Sequence, residues 1–291
     1  KAGFHVNLCD EKTIRELLGR HGFHFSKSMG QNFLIDPQIP ADIAAASGAD
    51  ETCGVLEIGP GIGPLTAELA QRAGKVAAVE LDLSLLPVLS ETMSPYPNVE
   101  IVPGDVMKLD LTALAEEKFQ NLTPLVCANL PYNITTPMLT RLIEAPCFAS
   151  FTVLIQREVA QRLAFPPGSR DSGSFSLFLQ YYMETELLFQ VPREKFLPAP
   201  KVTSAVLRCV RRPRPAVAVN DEAFFFRCVR GAFLLRRKTL ANSLSAALPD
   251  FSKECIQEAI RRCGLPADIR GERLTLENFA ELSAILAELA L

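Results

Sequence analysis

Val55-Leu-Glu-Ile-Gly59-Pro-Gly61-Ile-Gly63-Pro-Leu65 reads as a short apolar strand, a turn of alternating glycines and the start of a helix. From Leu65 to Arg72 the apolar residues recur at helical spacing. Glycine lets a backbone turn sharply and lets a ligand approach the main chain, so strand, glycine turn and helix open a nucleotide-binding α/β unit. The spacing is G-x-G-x-G, which disfavours the dinucleotide fingerprint, and no Gly-Lys-Ser/Thr follows, which excludes a P-loop. Outward from this turn, short apolar runs alternate with helical patterns. Lys75–Val79 is closed by Glu80, Val99–Val102 is followed by Gly104-Asp105, Leu125–Ala128 ends at Asn129, and Phe151–Ile155 completes the set. Strands separated by helices of this length predict a parallel sheet covered on both faces. The expected fold class is α/β, a Rossmann-like sheet followed by a small C-terminal α-helical domain.

Ligands of open α/β sheets lie outside the carboxyl ends of the strands. Three successive strand ends here supply Gly59 and Gly61, then Glu80, then Asp105. Glu80 stands where a carboxylate accepts from both hydroxyls of a ribose, and Asp105 is placed for an adenine amino group. Either acid could be a solvated residue at a loop start; the set of three favours an adenosyl ligand.

The fourth strand end carries Asn129-Leu130-Pro131-Tyr132. Asparagine offers a carbonyl acceptor, proline pins the backbone so that a main-chain carbonyl points into the site, and tyrosine offers a face for a base to stack on. Together they suit a planar amine such as the 6-amino group of adenine. With a sulfonium methyl as electrophile no strong base is needed, and catalysis becomes alignment and electrostatics.

Composition sets the outer bounds. The 291 residues are 48% apolar and 22% charged, with 30 Lys and Arg against 33 Asp and Glu, a net charge of −3. Taken whole, that balance argues against nucleic acid. Residues 1–200, however, carry 15 basic and 23 acidic side chains, and residues 201–291 carry 15 and 10. Ten bases fall within 201–240 against Asp221 and Glu222. The shift sits near Arg211-Arg-Pro-Arg-Pro215, a stiff linker. A helix is expected over Phe224–Leu248, with Arg227, Arg230, Arg237 and Lys238 close to one face, and Phe224, Phe225, Phe226 and Phe233 as core. No run reaches the roughly 18 to 20 apolar residues of a membrane span, and Lys1–Asp10 lacks the pattern of a signal peptide. Eight cysteines without a Cys-x-x-Cys pair, and three histidines confined to His5, His21 and His24, predict reduced thiols rather than a metal site.

These residues closely resemble the KsgA-type small-subunit ribosomal RNA adenine dimethyltransferases, over about residues 25–290. The resemblance runs through Ser28-Met-Gly-Gln-Asn-Phe-Leu34, Glu57-Ile-Gly-Pro-Gly61, Glu80-Leu-Asp82, Gly104-Asp105 and Asn129-Leu-Pro-Tyr-Asn-Ile134. It continues through Gln156-Arg-Glu-Val-Ala160, Phe196-Leu-Pro-Ala-Pro-Lys-Val-Thr-Ser204 and Arg236-Arg-Lys-Thr-Leu240. It implies S-adenosylmethionine as cofactor, contacted by Asn32, Leu34, Gly59, Glu80, Asp105 and Asn129. Asn129, the Leu130–Pro131 backbone and Tyr132 would hold the target adenine, with Phe196 on its other face. The implied reaction dimethylates two adjacent adenines near the 3′ end of small-subunit rRNA, so the partners are the small ribosomal subunit and its rRNA. Arg227, Arg230, Arg236, Arg237 and Lys238 would then grip RNA phosphates across a minor groove.

One departure is the N-terminus, where only Lys27 is basic beside Ser26 and Ser28; Leu17 and Leu18 lie on a short amphipathic pattern that predicts a capping helix. The expected organisation is an extension over 1–24, a catalytic domain over 25–212 and a helical rRNA-binding domain over 213–291, in a cytoplasmic monomer without metal or membrane contact. Three alternatives stay open: a large-subunit rRNA adenine methyltransferase of the macrolide-resistance type, a binding protein on the same fold, and a small-molecule methyltransferase. Leu130, in place of that sister class's usual isoleucine, and the 250–291 tail argue against the first. The intact Asn129–Tyr132 motif argues against the second, and the basic helical segment against the third.

Overall fold

The computed structural model describes residues 7–23 and 32–290. His5, His24, Lys27 and the Ser28–Gln31 part of the opening motif lie outside the described residues. The chain divides into two compact units, one formed by residues up to Ala160 with Glu186–Arg211, the other by Gln161–Thr185 with Arg212–Leu291. One division falls between Arg211 and Arg212, and residues 161–185, expected in the catalytic domain, stand with the helical unit. The reason is apolar: Leu177 and Tyr181 from this stretch belong to the helical unit's core.

In the first unit, strands β2 (Cys53–Ile58), β3 (Lys75–Glu80), β4 (Val99–Pro103), β5 (Thr123–Asn129) and β6 (Ser150–Gln156) pair in parallel. β2 and β6 are buried almost end to end, as strands covered on both faces must be. Short strands β1 (Phe33–Leu34) and β8 (Phe196–Leu197) pair separately and antiparallel. Besides this short pair, two more strands lie outside the five expected: β7 (Met183–Val191) and β9 (Ser204–Arg211) extend the sheet, β9 antiparallel to β6. The seven-stranded order is β4-β3-β2-β5-β6-β9-β7. The chain therefore leaves β2 in both directions, and a crevice opens where β2 and β5 diverge at their carboxyl ends.

Helices α1 (Glu11–Arg20), α2 (Gln38–Ala46), α3 (Pro64–Ala70), α4 (Leu86–Thr92), α5 (Leu111–Lys118) and α6 (Thr135–Glu144) belong to this unit. α1 is the capping helix its pattern predicts. Asp10 caps it, Ile14, Leu17 and Leu18 are buried, and they join Leu85, Val88 and Leu89 of the neighbouring segment in one cluster. Gly54 is required by packing, since a Cβ there would lie 2.3 Å from the Phe119 ring.

The helical unit contains α8 (Ser174–Tyr182), which follows α7 (Arg157–Ala164), and then α9 (Glu222–Ala232), α10 (Leu240–Ala247), α11 (Lys253–Arg262) and α12 (Leu276–Leu289). The single helix expected over Phe224–Leu248 is two helices joined by a corner. Ser243 ties that corner, donating to the Gly231 carbonyl at 2.7 Å and accepting from the Leu235 N–H at 3.0 Å. α9 and α10 approach so closely at Gly231 that a Cβ there would stand 2.9 Å from that of Ala247. Phe225 and Phe226 are buried and Phe224 and Phe233 half-buried against the core, as expected. All eight cysteines are free thiols. No helix among the described residues is long and apolar enough to cross a membrane.

Candidate active site

The glycine turn leaves β2 with three left-handed residues, Gly59 (φ 67°), Gly61 (φ 62°) and Gly63 (φ 95°). The Gly59 N–H donates to the Val79 carbonyl at 2.9 Å, which holds the turn against β3. No atom lies within 4 Å of where a Cβ of Gly59 would stand, and the same is true of Gly104 after β4. Both open onto one cleft at the carboxyl ends of the strands. The structure brings Asn32, Leu34, Gly59, Gly61, Glu80, Asp105, Asn129, Leu130, Pro131 and Tyr132 together as its lining.

Glu80, at the end of β3, is 6% exposed. Its Oε1 accepts from the Asp82 N–H at 2.8 Å and its Oε2 from the Gly61 N–H at 3.3 Å. Those bonds fix the carboxylate's plane and leave further lone pairs for hydroxyl donors. Burial nevertheless pushes its pKa up, the two amides opposing this. Asp105 is similarly oriented: its Oδ1 accepts from the Met107 N–H at 3.0 Å.

The Asn129–Tyr132 segment emerges from β5, where it is held by the Leu130 N–H donating to the Leu154 carbonyl at 3.1 Å. Among the described residues, neither the Asn129 side chain nor the Leu130 carbonyl has a hydrogen-bond partner, so both acceptors are available. Tyr132 is anchored at its far end, its hydroxyl 2.6 Å from the hydroxyl of buried Ser204. Desolvation raises the Tyr132 pKa and that bond opposes it, so the phenol stays neutral.

Phe196 departs from its expected place. It does not line the cleft; its side chain is 3% exposed and lies in the core cluster that includes Leu34, Ile43 and Val191. The pairing of β8 with β1, which sets Phe196 opposite Leu34, turns the ring inward. The basic side chains also depart from one helix face. Arg227 and Arg230 are on α9, while Arg236, Arg237 and Lys238 occupy the corner before α10. Arg227 is paired with Asp250 at 2.5 Å; the other four are exposed and have no ion pair among the described residues.

Two residues of the site escaped the sequence reading of roles. Ser204 holds Tyr132, and only its place at the end of the Phe196–Ser204 motif marks it. Glu57 is the second: it lines the cleft from within β2, is 1% exposed, and its Oε2 has no hydrogen-bond partner. Desolvation pushes its pKa up to about 8, with nearby Thr66 opposing and Glu80 adding to the rise, although the Thr66 hydroxyl is itself without a well-formed bond. A lone carboxylate inside the apolar run Val55–Ile58 was the available signal.

The cleft suits S-adenosylmethionine on its donor set. The Glu80 carboxylate, fixed by two amides, keeps lone pairs for hydroxyl donors, the Glu57 carboxyl adds a buried oxygen without a partner to the lining, and the bare glycines leave room at the main chain. Fold and cleft together define the class: an α/β transferase that binds an adenosyl cofactor. The sequence profile of the ribosomal RNA adenine dimethylase family matches residues 22–287, and the chain belongs to that family of S-adenosylmethionine-dependent enzymes. It is 46% identical over 289 residues to the ribosomal RNA small subunit methyltransferase A of Geobacillus thermodenitrificans (strain NG80-2), spanning 98% of this chain and 99% of that one. The protein of the same name from Bacillus licheniformis is 46% identical over 281 residues, 95% and 96% of the two chains. Among solved structures, the 23S rRNA methyltransferase ErmE is similar at a TM-score of 0.71 and 27% identity, covering 88% of this chain and 100% of that one. A dimethyladenosine transferase from Plasmodium falciparum shares the fold, with a TM-score of 0.72, 23% identity and coverage of 86% and 95%.

Proposed function

We propose that this chain transfers methyl groups from S-adenosylmethionine to the 6-amino groups of two adjacent adenosines near the 3′ end of 16S rRNA, during assembly of the small ribosomal subunit. The observation that carries the reading is the placement of Asn129–Tyr132 in one cleft with the glycine turn, Glu80 and Asp105. The near full-length likeness to small-subunit methyltransferases supports the choice of subunit.

When bound, S-adenosylmethionine supplies an electrophilic sulfonium methyl. Glu80 accepts from ribose hydroxyls, Asp105 from the cofactor's adenine amino group, and Asn32 and Leu34 close the lining beside the Gly59–Gly61 turn. The Asn129 side-chain oxygen and the Leu130 carbonyl accept the hydrogens of the target amine, which turns its lone pair toward the methyl donor. Tyr132 stacks on the base while Ser204 holds its hydroxyl. As positive charge develops on the nitrogen, both acceptors stabilise it without a general base. The Asn129 oxygen holds a hydrogen of the methylated amine until the proton passes to solvent.

Arg230, Arg236, Arg237 and Lys238 meet the phosphate backbone, a sequence-independent contact that steers and holds the RNA; Arg227 joins them by exchanging Asp250 for phosphate. The enzyme acts as a monomer, in the cytoplasm where small subunits are assembled. The test is methyl transfer from labelled cofactor to small subunits from an unmethylated strain. Label in two adjacent 16S rRNA adenosines supports the reading, and label in the large subunit instead overturns it.

A further inference from the structure

The wall of the cleft after β4 is a short connection from Asp105 to Asp110, and it is tied down at both ends. Asp105 accepts from the Met107 N–H, and Asp110 caps α5 by accepting from the Thr112 and Ala113 N–H groups, each at 3.0 Å. Between those ends, Val106 and Met107 line the cleft. The Asp105 carbonyl accepts from the Lys108 N–H within the connection, but two others find their donor on a different element. Arg141, in the last turn of α6, donates from Nη1 to the Val106 carbonyl at 2.7 Å and from Nη2 to the Leu109 carbonyl.

That is an unusual use of an arginine. At a helix C-terminus an arginine ordinarily faces solvent or hydrogen-bonds the last carbonyls of its own helix. Among the described residues Arg141 has no acidic partner, and its half-buried guanidinium is spent on two main-chain oxygens three residues apart. A planar fork with fixed donors can bridge two such acceptors; a lysine ammonium reaches one. α6 is itself immobilised by buried Met138, Leu139, Leu142 and Ile143, and it begins directly after Tyr132–Ile134. Arg141 thus joins the element that presents the amine acceptors to the one that presents Asp105.

We propose that Arg141 is a positioning residue for methyl transfer, its fork fixing the Asp105–Leu109 connection to α6 so that the cofactor's adenine end and the Asn129–Tyr132 acceptors keep one spacing. The inference rests on the assignment of Asp105 to the cofactor. Losing the fork frees the connection, so the first effect falls on cofactor affinity, and turnover follows through misalignment.

The experiment measures S-adenosylmethionine binding by calorimetry for the wild type, Arg141→Ala, Arg141→Lys and Asp105→Asn. It is paired with steady-state kinetics on small subunits. Arg141→Ala is expected to weaken cofactor binding by roughly tenfold or more, as loss of a charged pair of hydrogen bonds implies. The KM for small subunits stays within about twofold. Millimolar guanidinium ion restores part of the affinity of Arg141→Ala and none of that of Asp105→Asn. Arg141→Lys falls between wild type and Arg141→Ala, and it carries the same test should the alanine variant not fold. Cofactor affinity unchanged in both Arg141 variants, with Asp105→Asn weakened, overturns the inference and leaves the cofactor assignment standing. Affinity unchanged in Asp105→Asn overturns the assignment itself, and the inference with it. Equal loss for cofactor and small subunits without guanidinium rescue shows general loosening and likewise overturns the inference.

Discussion

Replacing Glu57 by glutamine should change how the stability of the cofactor-free first unit depends on pH. The carboxyl is fully buried, its pKa stands near 8 against an ordinary 4.5, and desolvation is the largest cause. Below pH 4.5 the group is protonated in both the folded and unfolded chain, and it adds no pH dependence. Between 4.5 and 8 the unfolded chain loses the proton and the folded one keeps it, so stability falls as pH rises. Each pH unit in this window costs about 1.4 kcal/mol, so between pH 5 and 8 the loss approaches about 4 kcal/mol as an upper bound. Glutamine has nearly the same shape and no titration. Raised groups away from Glu57 titrate in both proteins and cancel in the difference, whereas Glu80 is coupled to Glu57, so the difference reports the pair. Two compact units make a global melt a poor two-state measure. The appropriate observable is native-state hydrogen exchange of the β2 amides at pH 5, 6.5 and 8, corrected for intrinsic rates. Glu57→Gln should gain protection relative to wild type as pH rises. Equal pH slopes in the two proteins would falsify the claim that Glu57 is held protonated.

Other expectations follow from the same geometry. Gly59→Ala places a methyl in open cleft space at φ 67°, so it should cost about 1–2 kcal/mol of backbone strain and impair calorimetric cofactor binding more than stability. Cofactor affinity equal to wild type would contradict the cradle. Tyr132→Phe leaves the Ser204 hydroxyl unpaired, at about 1–3 kcal/mol in denaturant unfolding, but keeps the ring face and most turnover, whereas Tyr132→Ala loses both. Reversing charge at Arg236 and Arg237 should weaken small-subunit binding and flatten the plot of log affinity against log salt, by roughly 0.7 to 0.9 per lost phosphate contact. An unchanged slope rules out phosphate contact there.

How much of this was legible beforehand follows from the physics of each element. β2, β3, β5 and β6 are largely apolar runs because parallel strands inside a sheet are covered on both faces, β4 is a half-buried edge strand, and the ligand-facing residues fall at the strand ends by the same geometry. β7 alternates exposed and half-buried positions, so it offers no such run. β9 is recognisable only through its partner β6, since nothing local distinguishes Ser204–Arg211 as the antiparallel strand of a parallel sheet. Helical periodicity continued through Arg236–Lys238, but Ser243 and the close approach at Gly231 break the helix, and those are tertiary contacts. Phe196 is an aromatic at a matching position whose burial depends on β1, more than 150 residues earlier. Glu57 was visible in the motif, yet its unusual proton affinity comes from burial, which composition does not report.

The central claim is that Asn129 and its neighbours present an adenine amine to a methyl donor held by the same cleft. Its most direct measurement is mass analysis of the 16S rRNA 3′ fragment after incubating unmethylated small subunits with S-adenosylmethionine and either the wild type or Asn129→Ala. Two adjacent N6,N6-dimethyladenosines with the wild type, and a severe loss of turnover in Asn129→Ala despite near-normal cofactor binding, are the predicted result. Wild-type turnover by Asn129→Ala, or methyl groups on any other atom, would contradict it.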